Sequence, residues 1–333
     1  MAQSDDSNFE LRPKGNVELE EEIRRAFRED GRNIHIEEMQ TVGNTTILYR
    51  CGKKGVAKVM LPSMPLRFLA NHQRELDFYR RTKRYPFRDV RGDVLLMDLL
   101  EDGEVPNQIE GLSFEQLARI LKSTVRLHKE ETPWTGMERV EDVGLSLAYD
   151  MALPLLSRVS VERMKSLGFC VGREEEAVLL MHQVMGEWES LLDDLQGNCM
   201  VHGDLRGENV FLPYDKQKEA VLIDWQLTCA GSRFVDLAYL LSTSLTVEDL
   251  KVHEEDLLRV YAGDDFGDEF LEKYRRALQW PVAWAVFVCG GGMDYADKRS
   301  EVWTYQSVMT ERFLQANLRQ KKYKKEKSEN RRS

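Results

Sequence analysis

The amino-acid sequence predicts an α+β chain in two lobes, a small antiparallel sheet followed by a larger, mainly helical part. Three observations lead there. Short apolar runs separated by turn residues fill the stretch up to residue 98, and helical periodicity dominates from residue 113 onward. Between the helical stretches lies His202-Gly203-Asp204, followed by Asn209 and by Asp224 at the end of a second apolar run.

The elements follow in order. Residues 17–30 place Leu19, Ile23, Ala26 and Phe27 at helical spacing, after a polar stretch, 1–16, expected to be disordered. Residues 34–42, 47–50 and 56–60 read as three strands, separated by turns at Gly43-Asn44-Thr45-Thr46 and Cys51-Gly52-Lys53-Lys54-Gly55. Residues 65–82 put Leu66, Leu69, Leu76 and Tyr79 on one helical stripe, and residues 94–97 form a buried strand. Ser113 and Gln116 have the spacing of a capping box. Behind them Leu117, Ile120, Leu121, Thr124, Leu127 and His128 share a helix face. Residues 132–170 carry no clear period, residues 174–195 are helical, and helices run from Phe234 to about residue 320. The expected organisation is an N-terminal sheet lobe at 17–98, a larger, mainly helical lobe at 99–318, and a basic, disordered tail at 319–333.

Charge and composition narrow the function. The net charge is −10, and the tail from Arg319 holds eight Lys/Arg against two Glu, so the body is more acidic still. An acidic body argues against nucleic-acid binding and favours neutral or cationic substrates. Five scattered cysteines without a C-x-x-C pair argue against a disulfide framework and a structural zinc site. The polar start does not read as a secretory signal, and no apolar run approaches a membrane span, so a reducing, cytoplasmic location is expected.

The chemistry lies in Asp204, Asn209 five positions on, and Asp224. An Asp placed to accept or orient the proton of an attacking hydroxyl, with an Asn and a second Asp as hard oxygen ligands for Mg²⁺, is a minimal kit for phosphoryl transfer from ATP. Lys58, in Val56-Ala57-Lys58-Val59, and Glu75, seventeen residues on in the next helix, fit a lysine that holds phosphates and a glutamate that holds the lysine. Taken alone, each reads more readily as a solvated surface charge.

Together these residues resemble the aminoglycoside phosphotransferase and choline kinase-like family of the protein-kinase-like superfamily. The resemblance runs from Lys58 and Glu75 through Leu95-Leu96-Met97-Asp98-Leu99 and Leu127-His128 to His202-Gly203-Asp204, Asn209, Asp224-Trp225-Gln226 and Asp236-Leu237-Ala238. The Asp-Trp-Gln ending looks most like choline-kinase and ecdysteroid-kinase-like members. The resemblance implies a bilobal protein-kinase-like fold and ATP- and Mg²⁺-dependent phosphorylation of a small-molecule hydroxyl. It implies Asp204 as catalytic base, Asn209 and Asp224 as Mg²⁺ ligands, and Lys58 with Glu75 as the phosphate-holding pair. Main-chain groups of Met97 and Leu99 would bind adenine, Asp236 would brace the catalytic loop, and His202 would be structural.

Two departures stand out. Gly43-Asn44-Thr45-Thr46 offers one glycine where G-x-G-x-x-G is common in kinases. Arg206 stands two residues after Asp204, where protein kinases often carry a lysine; it fits either stabilisation of the transferred phosphate or an ion pair with Glu208. Trp225, Trp280, Trp284 and Trp303 read more readily as core than as an amine-binding pocket, and Gly290-Gly291-Gly292 as a hinge or a helix terminator. The alternatives are a catalytically silent nucleotide-binding scaffold, a protein kinase (against which the missing Asp-Phe-Gly and Ala-Pro-Glu speak), and a membrane- or RNA-associated adaptor using the tail.

Overall fold

A computed structural model describes residues 23, 35–39, 46–53, 55–60, 66–130 and 133–330, with side chains omitted at 66–68, 130 and 321–330. The chain divides into two compact units, Met1–Leu99 and Leu100–Ser333.

The first unit is built on a five-stranded antiparallel sheet. Its strands are β1 (Ile36–Met39), β2 (Thr46–Cys51), β3 (Gly55–Met60), β4 (Phe87–Arg91) and β5 (Val94–Asp98), in the order β1-β2-β3-β5-β4. One helix, α1 (Leu66–Thr82), joins β3 to β4. All six residues of β3 are buried, as befits a central strand whose Val and Ala side chains pack on both faces. Tyr49, Ala57, Val59, Val94 and Leu96 form a core with Ile23. Helix α1 buries His72, Glu75, Leu76, Phe78 and Tyr79, and Tyr79 stacks on Phe87 with ring centroids 5.8 Å apart.

The second unit begins with the short β6 (Gly103–Glu104) and α2 (Phe114–Glu130). Both bonds of the capping box form: the Gln116 amide donates to Ser113 Oγ at 3.3 Å, and the Ser113 amide donates to Gln116 Oε1 at 2.9 Å. Then come α3 (Gly144–Ala152), α4 (Val161–Leu167), α5 (Glu174–Gly186) and α6 (Trp188–Leu195). Four short strands follow: β7 (Cys199–Val201), β8 (Val210–Pro213), β9 (Val221–Leu222) and β10 (Cys229–Gly231). They pair antiparallel as β7 with β10 and as β6-β8-β9. The rest is helical: α7 (Phe234–Ser244), α8 (Val247–Ala262), α9 (Asp268–Ala277), α10 (Val282–Phe287) and α11 (Glu301–Asn330). Every residue of α7 is buried, so it is the central helix of this unit. Among the described residues no helix is long and apolar enough to cross a membrane, and no disulfide forms.

Several sequence expectations change. Strand β4 is unforeseen because Phe87-Arg88-Asp89-Val90-Arg91 is charged at three of its five positions and lacks a period-2 apolar pattern; it lies at a sheet edge, where charges keep other strands from docking. Leu69 is exposed, and His72 and Glu75 take the buried face of α1 instead. The helix expected over 174–195 breaks at Glu187. The tail expected to be disordered from residue 319 continues α11 to Asn330; Arg319 and Gln320 anchor its start by bonding Glu254 Oε2 at 3.0 and 3.1 Å. Trp225 and Trp280, by contrast, are core as expected, at 0% and 2% exposure, and each indole N–H donates to a main-chain carbonyl. The three glycines end a π-helical turn, Val288–Gly292, with Gly291 at φ 99°. The N-terminal stretch 1–16, the rest of the 17–30 helix and Gly43-Asn44-Thr45 lie outside the described residues.

Candidate active site

In the first unit the register of β3 places Lys58 opposite Leu48 on one side and Leu95 on the other. Its Nζ reaches Glu75 of α1 at 3.0 Å to Oε1 and 2.7 Å to Oε2. The two side chains are only 6% and 1% exposed. Desolvating two charges offsets most of what their attraction gains, so this pair is a poor device for stability. A buried lysine clamped in one place makes better sense as a positioned positive charge. Met97 pairs within the sheet with Val56 and Phe87, and Leu99 is the first residue past β5.

In the second unit, residues 202–209 run from β7 into β8, and Asp224 follows β9. The β8–β9 register, Val210 opposite Leu222, extends one step further when the Ile223 amide donates to the Asn209 carbonyl at 2.9 Å. That step bonds Asn209 to Ile223, the residue before Asp224. Asn209 is 4% exposed, and its Nδ2 donates both to the Asp204 carbonyl at 2.7 Å and to Asp204 Oδ2 at 2.9 Å. The amide hydrogens thus go to Asp204, and Oδ1 is the group left to meet a cation. Asp224 sits at φ 65°, a left-handed backbone that a non-glycine residue adopts at a cost of about 1–3 kcal/mol. Two hard oxygen donors are what Mg²⁺ usually takes from a protein, with phosphates and water completing its shell, so Asn209 and Asp224 fit that ion.

The loop is held from beneath by Asp236, on the first turn of α7 and fully buried. Its Oδ2 accepts from the His202 amide at 2.7 Å, and its Oδ1 accepts from the Gly203 amide at 2.9 Å. His128 Nε2 donates to the same carboxylate at 3.0 Å, and Tyr261 Oη meets His128 Nδ1 at 2.6 Å. Burial pushes the Asp236 carboxyl up, but the His128 hydrogen bond, the nearby imidazoles and the His202 amide outweigh it. The net effect holds Asp236 below the ordinary carboxylate range. Asp236 therefore carries the bracing geometry that the resemblance implies. Gly203 admits no side chain: at φ 81°, a Cβ would lie 2.1 Å from the Leu227 carbonyl oxygen.

His202 Nε2 donates to the Ile223 carbonyl at 2.9 Å, and its Nδ1 accepts from the Asp204 amide at 3.4 Å. With both ring nitrogens occupied it is structural, as expected. Arg206 is partly buried; its Nη1 lies 3.6 Å from Asp204 Oδ1 and its Nε 3.8 Å from Glu208 Oε2, with the guanidinium 5.6 Å from the Tyr305 ring centre. Burial disfavours its charge, but Asp204, Tyr305, Tyr239 and Glu208 more than compensate, so it is held firmly protonated. Burial in turn raises the Glu208 carboxyl despite Arg206. Both readings of Arg206 thus have their geometry: a charge beside Asp204 and an ion pair with Glu208.

In the first unit, then, Lys58 meets Glu75, and in the second Asp204 meets Asn209 and Arg206. Sequence reasoning missed Gln108, Tyr261, Tyr305 and Arg312. Gln108 and Arg312 meet the site's neighbourhood across 99 and 204 positions respectively, and no local pattern announces such contacts.

A sequence profile of the ecdysteroid kinase-like family matches residues 155–264, the stretch that includes the Asp204 loop, Asp224 and Asp236. No curated protein matches the chain. Solved structures do resemble it. A choline kinase from Cryptosporidium parvum Iowa II has a TM-score of 0.58 at 11% identity, over 91% of this chain and 96% of that one. The choline kinase LicA from Streptococcus pneumoniae has 0.57 at 15%, over 90% and 98%. An aminoglycoside phosphotransferase, APH(3'')-Id from Streptomyces rimosus, in complex with ADP and streptomycin, has 0.51 at 17%, over 80% and 97%. At such identities the likeness is one of fold: the chain has the protein-kinase-like fold, in the form shared by choline kinases and aminoglycoside phosphotransferases.

Proposed function

We propose that this protein is an ATP- and Mg²⁺-dependent phosphotransferase that phosphorylates a hydroxyl group of a small molecule. The observation that carries this reading is the Asn209 carboxamide bonded to both the main chain and the carboxylate of Asp204, one ladder step from Asp224. It ties a proton acceptor to two oxygen ligands through a shared hydrogen-bonded turn.

The acceptor's oxygen attacks the γ-phosphorus, the bond to the β-bridging oxygen breaks, and ADP leaves. Asp204 orients the hydroxyl and takes its proton. Asn209 and Asp224 would hold Mg²⁺, which when bound would supply charge neutralisation at the phosphates. Arg206 adds positive charge beside Asp204. In the first unit Lys58, held by Glu75, binds phosphate oxygens, and the main chain at Met97 and Leu99 hydrogen-bonds adenine. Nothing in this kit makes covalent bonds to the substrate; its work is positioning and electrostatics. The acidic body suits an amine-bearing alcohol, the type to which the choline and streptomycin of the similar structures belong, and a cytoplasmic setting suits ATP and unpaired thiols.

The test is ADP release with ATP and Mg²⁺ against pooled amino alcohols, aminoglycosides, sugars and sterols. Acceptor-dependent turnover is expected to drop by about 10²–10⁴-fold in Asp204→Ala, the usual contribution of a general base. Turnover that persists at the wild-type rate in that variant would sink the assignment. Nucleotide-induced stabilisation without turnover against any acceptor would point to a silent scaffold.

A further inference from the structure

Asp236 holds one end of the 202–209 loop; its other end meets Gln108, in the segment that opens the second unit. Gln108 is 1% exposed, and its Oε1 accepts from the Gly207 amide at 2.7 Å. Gly207 begins the single turn that ends at Asn209, and the Asn209 amide closes that turn on the Arg206 carbonyl at 3.0 Å. The contact leaves no room for a side chain at 207: a Cβ there would lie 2.7 Å from Gln108 Oε1 and 2.8 Å from Leu112 Cδ1.

Gln108 is itself pinned. Its Nε2 donates to Ser244 Oγ at 3.4 Å and to Met309 Sδ at 3.6 Å. Arg312 of α11 donates through Nη1 to the Gln108 carbonyl and to the Thr243 carbonyl, both at 2.6 Å, and through Nη2 to the Ile109 carbonyl at 2.8 Å. The Leu112 amide closes the strap on the Ser244 carbonyl at 2.7 Å. Arg312 is 5% exposed, and its hydrogen bonds go to main-chain carbonyls. Burial lowers its pKa to about 10, so it stays charged at neutral pH. Sinking a guanidinium this way is unfavourable unless its donors are met, and here they tie residues 108–109 to the end of α7.

We propose, resting on the phosphotransferase reading for its catalytic consequence, that Gln108 clamped by Arg312 is the positioning residue that fixes the turn carrying the metal-ligating Asn209. The side chain touches neither metal nor substrate; it acts through the Gly207 amide. The signature is local. Losing the acceptor frees the turn without melting β7 or α7.

The experiment is hydrogen–deuterium exchange on the full chain, comparing wild type with Gln108→Leu, Gln108→Asn and Gln108→Glu. The Asn variant is the mild one, since it keeps the amide and withdraws it by one methylene. In the Leu and Asn variants exchange across residues 205–209 is expected to quicken about tenfold, the size of one hydrogen bond, while β7 and α7 keep their rates. Gln108→Glu retains an acceptor for Gly207 and restores most of the protection. Unchanged exchange in the Asn variant, or a Glu variant as fast as the Asn one, overturns the proposal. The catalytic consequence is read from melting temperature in ATP as Mg²⁺ is titrated. Gln108→Asn is expected to need about tenfold more Mg²⁺ for half the shift, with the metal-free ATP shift unaltered. An unchanged Mg²⁺ requirement overturns the link to Asn209. If wild type shows no shift with ATP and Mg²⁺ at all, it is the phosphotransferase reading that falls, and the strap is then judged on exchange alone.

Discussion

Lys58 in the first unit and the Asp204 loop in the second are both polar machinery set in apolar surroundings, and they are secured by opposite means. Lys58 is held through its side chain, with the Glu75 carboxylate at 2.7 Å. The loop is secured mainly through its backbone: the His202 and Gly203 amides on Asp236, the Gly207 amide on Gln108, and the Asn209 carbonyl under the Ile223 amide. Under the proposed function, the difference follows from what each must do. An ammonium is a point charge that can bind phosphate from many directions, so a counter-charge is a suitable way to hold it. A proton acceptor and a metal ligand act along set directions, and only a fixed main chain sets those directions. A side-chain pair can be exchanged for another pair of matching volume, whereas main-chain amides are present whatever the residue and keep their need for an acceptor.

The largest effect is therefore expected at Asp236. Asp236→Ala leaves the His202 and Gly203 amides and the His128 ring without their shared acceptor, all of them buried. Removing one member of such a buried charged network costs about 3–5 kcal/mol, to be measured by urea unfolding. The pH dependence has a definite sign. The Asp236 carboxyl titrates below its ordinary value of 3.8 in the folded protein, so its stabilising contribution is complete above that value. It is lost as pH falls through the depressed folded value. Wild-type stability should thus decline steeply below about pH 4, and the Ala variant should decline less steeply there. Parallel acid limbs for the two proteins would show that Asp236 is no anchor, and the contrast between the units would collapse.

Much of this contrast was legible in the sequence, and the remainder was not, for a physical reason. His202-Gly203-Asp204, Asn209 and Asp224 show because their residue types recur at short, recognisable spacings, and Lys58 with Glu75 shows because a strand lysine and a helix glutamate are a recurring pair. The Ser113 cap and the face from Leu117 to His128 show because helical period is local. Gln108 and Arg312 do not show. A buried glutamine and a buried arginine look like surface residues until the fold brings them together, and their partners are carbonyls and amides, which every sequence has. For the same reason β4 is hidden by its charges, and the extension of α11 past Arg319 is hidden by a composition that suits a solvated tail as well as a helix.

The second effect sharpens the comparison from the side of Lys58. Lys58→Met takes the ammonium away from the Glu75 carboxylate, 1% exposed, and should cost about 3 kcal/mol. Lys58→Met combined with Glu75→Leu removes the carboxylate as well, and such paired apolar replacements are often neutral or stabilising, so stability should return to within about 1 kcal/mol of wild type. Nucleotide-dependent stabilisation should stay lost in both variants. A double variant as unstable as the single one would mean that the pair holds its sheet together, and the claimed difference in kind between the units would shrink to one of degree.

The smallest effect lies at the outer end of the loop's support, where Tyr261 Oη meets His128 Nδ1 at 2.6 Å. Tyr261→Phe keeps the ring against His128, whose centre is 5.9 Å away, and deletes only the hydroxyl. One imidazole nitrogen then lacks its partner, a loss of about 1 kcal/mol. His128 keeps its bond to Asp236, and Asp236 keeps both loop amides, so turnover and exchange across residues 202–209 should be almost unchanged. The expected pattern is a steep fall with distance from the main chain, from Asp236 through His128 to Tyr261. If Tyr261→Phe instead loosens the loop as much as Asp236→Ala does, the imidazole's orientation governs the carboxylate. Support would then reach the loop through a chain of side chains, as it reaches Lys58, and the two units would be built on one principle after all.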